Sequence, residues 1–187
     1  MKKILISIAA LLFLAACGTD DSLSNHVHPL DMTEREAEIA QLASGGRELA
    51  LFDFTAYGFG LFEILLDVYE YGLLNEEKSA SVLVILSENS SQSLQFEGLL
   101  AIAWEVFDNT QVAWNIEIQG SRSSFNTELP TPFVSRSWQS LEEGVEIPLG
   151  EAVALHIVSF GGNYVSSFWE QNPLTYVVKI RLLDEGE

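Results

Sequence analysis

Apolar and polar positions follow one another in four different ways along this chain: an unbroken apolar run, an aperiodic polar stretch, a helical period and a period of two. Residues 4–14 are apolar without a break except for Ser7. Residues 18–32 show no sustained period and hold Asp20, Asp21, Ser22, Ser24, Asn25 and Pro29, the composition of a linker. From Thr33 to Ala43 the apolar positions Ala37, Ile39, Ala40, Leu42 and Ala43 fit one face of a short helix. Thr33 with Glu36 forms a capping-box pair, and Ser44-Gly45-Gly46 ends the helix.

After Gly46 the period drops to two. Phe62, Ile64, Leu66 and Val68 alternate with Glu63, Leu65, Asp67 and Tyr69, as in a strand with one wet face. Ser81 to Leu86 is apolar on both faces and predicts a buried central strand. Gln95 to Phe107 predicts a long strand bent by a bulge at Gly98. Leu99–Phe107 and Gln111–Gln119, joined through Asp108-Asn109, give the strongest hairpin signal. Gly120 to Pro132 reads as a Ser/Asn/Pro-rich loop, and Phe133 to Ser140 as a short edge strand. Val145–Leu149 is a further short strand. On the next, Val153, Leu155 and Ile157 share one face, and His156 shares the other with Val158 and Phe160. Gly161 to Asn172 is a long connection. Leu174, Tyr176, Val178, Ile180 and Leu182 alternate through the last strand. Many short strands with frequent turns and no helical pattern between them predict an all-β fold. The expected architecture is an antiparallel β-sandwich, immunoglobulin-like but without a disulfide, preceded by the short helix; a small antiparallel barrel is the alternative.

Residues 1–17 change the picture of where such a domain works. Lys2-Lys3, the apolar run and Leu14-Ala15-Ala16-Cys17 together resemble the signal of a bacterial lipoprotein. The apolar run is too short for a membrane span, which needs about 20 residues. The resemblance implies lipidation of the Cys17 thiol, cleavage after Ala16, and an anchor of acyl chains such as palmitate. Two chains hold a protein stably at a membrane, whereas one does not. Organisation then follows as a signal peptide over 1–16, a tether over 17–32, the helix over 33–45 and the sandwich over 47–187. The expected location is the extracytoplasmic face of the cell membrane, or the outer membrane if the cell is Gram-negative. Val68-Tyr-Glu-Tyr-Gly-Leu-Leu and Glu146-Ile-Pro-Leu-Gly-Glu are also similar to short stretches of small Firmicutes lipoproteins of unknown function, a likeness that implies no activity.

Charge and chemistry narrow the function. The chain carries 9 Lys+Arg against 27 Asp+Glu, a net −18. Loss of Lys2 and Lys3 with the signal leaves 7 against 27, or −20. That balance argues against nucleic-acid binding, which needs a basic footprint. Cys17 is the only cysteine, so no internal disulfide forms. The sequence carries no Gly-x-Ser-x-Gly elbow, zinc-protease helix, phosphate-binding Gly loop or EF-hand loop, and no cofactor is expected. His26-Val27-His28 lies in the tether, two ligands short of a zinc site. Glu76-Glu77 and Glu142-Glu143 read as solvated turns. His156, the only histidine in 47–187, reads as a structural hydrogen-bonder, with a Ser-His-Asp hydrolase site as the rival. Trp104 and Trp114 read as core. Trp138, Tyr164 and Trp169 fall in or beside loops, where aromatics plug a sandwich end or stack on a ligand. The chain is thus expected to bind an envelope protein, a glycan or another small ligand without catalysis.

Overall fold

The computed structural model describes residues 24–57, 60–86, 95–108, 110–129, 133, 135–162 and 165–183. Two antiparallel sheets pack face to face, as the alternation of residues 47–183 predicts. Sheet A has the order β10-β1-β2-β6-β7-β8. Its strands are β1 (His26–Pro29), β2 (Glu48–Tyr57), β6 (Gln95–Phe107), β7 (Gln111–Ile118), β8 (Ser121–Glu128) and β10 (Val145–Glu146). Sheet B has the order β4-β3-β12-β11-β9, with β5 also paired to β3. It comprises β3 (Gly60–Glu70), β4 (Leu73–Leu74), β5 (Ala80–Leu86), β9 (Ser135–Ser140), β11 (Ala152–Gly161) and β12 (Leu174–Leu183). The last strand in the chain, β12, lies at the centre of sheet B between β3 and β11.

The core is made of the inward positions of most strands, with β4, β8, β9 and β10 contributing no buried residue. Phe62, Ile64, Leu66 and Val68 of β3 are buried, as are Val112, Trp114, Ile116 and Ile118 of β7. All five alternating residues of β12 from Leu174 to Leu182 are buried too. Phe54 meets Phe62 edge-on across the sandwich at 5.2 Å. Trp114 meets Tyr176 at 5.4 Å in the same geometry. The β6–β7 hairpin forms in the expected register, with Leu100 opposite Ile118 and Phe107 opposite Gln111.

Five local expectations are corrected. The tether does not run to Met32, because His26–Pro29 is strand β1, with Val27 wholly buried opposite Phe54. A single apolar residue between two histidines is too short a pattern to signal a strand. Residues 121–128 are not loop but β8, an edge strand turned back on β7 through Gln119-Gly120, both at positive φ. Its outward positions are polar, and an edge strand in water needs no more. Strand β5 is not central, since among the described residues it pairs with β3 alone and leaves Leu83 about half exposed. Gly98 carries no bulge and stays in register with Phe54. A Cβ there would stand 2.6 Å from the Gln119 carboxamide and 2.8 Å from the Phe54 ring, so close approach is what demands glycine. The bulge falls instead at Leu155, where the register between β11 and β12 shifts. Leu155 and His156 are therefore both buried, and the strict alternation of β11 ends there.

Helix α1 (Glu34–Ala43) has the predicted capping box. Thr33 accepts from the Glu36 amide, and Glu36 accepts from the Thr33 amide at 2.9 Å. The Thr33 hydroxyl, which donates to the Glu36 carboxylate at 2.7 Å, holds that carboxyl below its ordinary pKa, and the backbone contact adds to this. None of its residues is buried.

Candidate functional site

The connection between β11 and β12 crosses the outer face of sheet B, and a buried asparagine shapes it. The Asn172 carboxamide accepts from the Ser166 amide at 2.7 Å and donates to the Ser166 carbonyl at 3.0 Å. The Ser166 hydroxyl in turn accepts from the Phe168 amide at 3.1 Å. These bonds close a loop topped by one 3-10 turn, Trp169–Gln171. Strand hydroxyls fix the turn from below. Thr175 donates to the Trp169 carbonyl at 3.1 Å and bonds Ser159 at 3.0 Å. The β3–β4 turn fixes it from the side. The Tyr71 amide donates to the Asn172 carbonyl, and Gly72 (φ 78°) lies so close that a Cβ would stand 2.9 Å from the Glu170 carbonyl. The Trp169 ring packs edge-on against Tyr69 at 4.8 Å.

Tyr69 belongs to a short charged row beneath. The Lys179 ammonium donates to the Tyr69 hydroxyl at 2.9 Å and pairs with Asp67 at 2.6 Å. Burial alone pushes the Lys179 pKa down. The bonds to Asp67 and Tyr69 outweigh it, and the ammonium stays charged above its ordinary range. Charge is thus neutralised beside Trp169.

A depression of about 270 Å³ to one side of β9 and a second of about 200 Å³ beside the loop open on sheet B. The second is bordered by Ser137, Trp138, Gln139, Ile157, Ser159, Ser166, Ser167 and Trp169. None of these side chains is charged, on a chain of net charge −18. The predicted residues Trp138 and Trp169 meet here, but with different roles. On β9 the side chains alternate, and Trp138 turns its ring inward, edge-on to Trp104 at 5.8 Å. The Arg136 guanidinium lies 5.5 Å from the centre of the Trp104 ring and 5.9 Å from that of Trp138. Ser137 and Gln139 therefore face the depression, and Trp138 closes the sandwich edge. Tyr164 and Cys17 lie outside the described residues. Ser137 and Gln139 on their strand and Ser166 in the loop carry no distinguishing signal in the sequence.

His156 is placed by the Leu155 bulge and is 2 % exposed. The Trp104 indole donates to its Nε2 at 3.0 Å, so Nε2 carries no proton. The proton of the neutral ring is then on Nδ1, which donates to the Ser140 hydroxyl at 2.8 Å. A serine nucleophile needs the opposite polarity, with the histidine accepting from the hydroxyl. Burial pushes the His156 pKa down to about 4, which keeps the ring neutral. The geometry is that of a hydrogen-bonded core histidine.

His26 and His28 stand on the outer face of β1 with ring centres 5.7 Å apart. Among the described residues no group of three or more metal-ligating side chains gathers. Glu76, Glu77, Glu142 and Glu143 are exposed in turns. No protein-family model matches the chain, and comparison with curated proteins and with solved structures finds no significant match for it.

Proposed function

We propose that this chain is a lipid-anchored extracytoplasmic protein whose β-sandwich binds an uncharged, polyhydroxylated ligand such as an envelope glycan and performs no catalysis. The observation that carries the binding reading is the uncharged depression beside Trp169. Its hydroxyls and the Gln139 carboxamide offer both donors and acceptors, and an indole beside them offers an apolar surface to the face of a sugar ring. The loop is tied by Asn172, Thr175 and Gly72, so little ordering is left for a ligand to impose. The anchor reading rests on Leu14-Ala15-Ala16-Cys17.

Strand β1 shortens the free tether. From Cys17 to Ser24 the chain can extend about 25 Å, half of what a tether to Met32 allows. The domain is held close to the surface that anchors it.

Two measurements test this reading. Replacing Cys17 by alanine is expected to move the protein from the membrane fraction to the medium or periplasm; retention in the membrane contradicts the anchor. Neutral N-acetylhexosamine oligosaccharides at about 100 times their Kd are expected to stabilise the wild-type domain by about 2.7 kcal/mol. That raises Tm by roughly 5–10 °C for a domain of this size. Trp169→Ala is expected to keep the fold and lose this shift. If neither these nor other neutral oligosaccharides move the wild-type Tm, the glycan reading fails.

A further inference from the structure

A groove of about 420 Å³ lies on the opposite sheet, between helix α1 and the outer face of sheet A. Its floor is Leu49 and Leu51 of β2 with Ala101 and Ala103 of β6, and its roof is Ala40 and Ala43 of α1. Leu49 stands opposite Ala103 and Leu51 opposite Ala101, so the floor is one continuous apolar strip across two strands. A ten-residue helix is marginal in water without an apolar face packed against something, yet no residue of α1 is buried. The helix is held by its ends. At the C-terminal end the Gln41 carboxamide and the Ser44 hydroxyl both donate to the Arg47 carbonyl, at 2.8 and 2.9 Å. A gap between an unburied helix and a half-exposed apolar strip has room for an occupant.

The rim selects the chemistry. Arg47 is paired with Glu105 at 2.8 Å, and Arg122 with Glu117 at 2.8 Å. Both cations bordering the groove are thereby neutralised, which disfavours a free fatty acid or a phosphate headgroup and suits an uncharged hydrocarbon chain. The volume lies in the range of about 300–1,000 Å³ typical of small-ligand sites. The chain's own start lies within reach. Asn25 accepts from the Tyr57 amide, and the Leu30 amide donates to the Leu51 carbonyl, so β1 starts at the Tyr57 end of β2, and the chain before Asn25 reaches the groove by doubling back along β2. From Tyr57 back to Leu51 is about 20 Å of strand. The chain from Cys17 to Ser24 extends about 25 Å.

We propose that this groove seats an acyl chain carried by Cys17 of the same molecule, holding part of the anchor against the domain when it is not in a bilayer. This rests on the lipobox reading, so the test separates the two. The full chain is made in a bacterial host that lipidates such signals, and its mass is measured. A monoacylglycerol bearing a pyrene-labelled decanoyl chain is the probe, in detergent-free solution. Cys17→Ala protein is expected to bind it with saturable fluorescence, and lipidated wild type to bind it at least about tenfold more weakly because its own chain competes. Leu51→Glu and, independently, Ala103→Glu in the Cys17→Ala background are expected to lose binding by about tenfold or more, with thermal unfolding confirming that each is folded. A wild-type mass without diacylglycerol overturns the lipobox and this proposal together. A lipidated wild type that binds the probe as well as Cys17→Ala overturns the proposal alone, as does a Cys17→Ala protein that fails to bind.

Discussion

Trp104→Ala is expected to destabilise the domain by about 4–5 kcal/mol, near the upper end for truncating a large buried side chain. Trp104 is wholly buried between the sheets. Its ring meets Trp114 at 6.0 Å, Trp138 at 5.8 Å and Phe160 at 6.3 Å. Its indole is also the donor that His156 accepts. Truncation opens a cavity, strips His156 of a partner and leaves Trp138 without the ring it packs on. Against a total stability of about 5–15 kcal/mol, this removes between about a third and nearly all of the margin. Trp104→Phe keeps an aromatic ring and loses the donor, so roughly half that loss is expected, since an unsatisfied buried group costs about 1–3 kcal/mol. Urea unfolding checks both. A loss below about 1 kcal/mol for the alanine variant, with unchanged m, contradicts the packing described.

Acid is expected to remove about 3 kcal/mol of stability through His156 alone. Its folded pKa is about 4 and its ordinary value 6.5, a gap worth about 3 kcal/mol. The unfolded chain takes up the proton at the higher pH, so the contribution is complete above about 6.5. It declines as pH falls and is gone below about 4. Relief of repulsion among 27 acidic residues acts in the opposite direction over part of this range, so the raw curve mixes the two. His156→Gln separates them, because a carboxamide can accept from Trp104 and cannot titrate. The stability difference between wild type and His156→Gln is expected to shrink by about 3 kcal/mol from pH 7 to pH 4. A difference that stays constant contradicts a buried neutral imidazole.

Legibility followed how many residues vote for a pattern. Strands β3, β7 and β12 each place four or five large apolar residues at period two, and each was legible, as was the β6–β7 hairpin. Strand β1 has one vote, Val27, and β8 has chiefly Phe125, so both read as loop. The bulge at Leu155 has no local signature, because it is set by where β11 must meet both β9 and β12. Strand β5 shows that an apolar run reports hydrophobicity and not position, since Leu83 faces outward at the edge. At the site, Trp169 was legible as a loop aromatic. Trp138 carries the same loop-edge signal, but its strand parity packs the ring edge-on to Trp104 while leaving it about half exposed at the border of the depression. Ser137 and Gln139 become site residues only through the register that sets them beside Ser159 and Ile157.

The position of β12 has a bearing on biogenesis. Sheet B is built around the last ten residues of its strand set, so β3 and β11 have nothing between them until Leu174–Leu183 has emerged. Such long-range pairing is slow to form, because the loop it closes spans most of the domain. Sheet B is therefore the later of the two to close, since sheet A takes no strand from beyond Glu146 whereas sheet B is joined only when Leu174–Leu183 pairs on both sides.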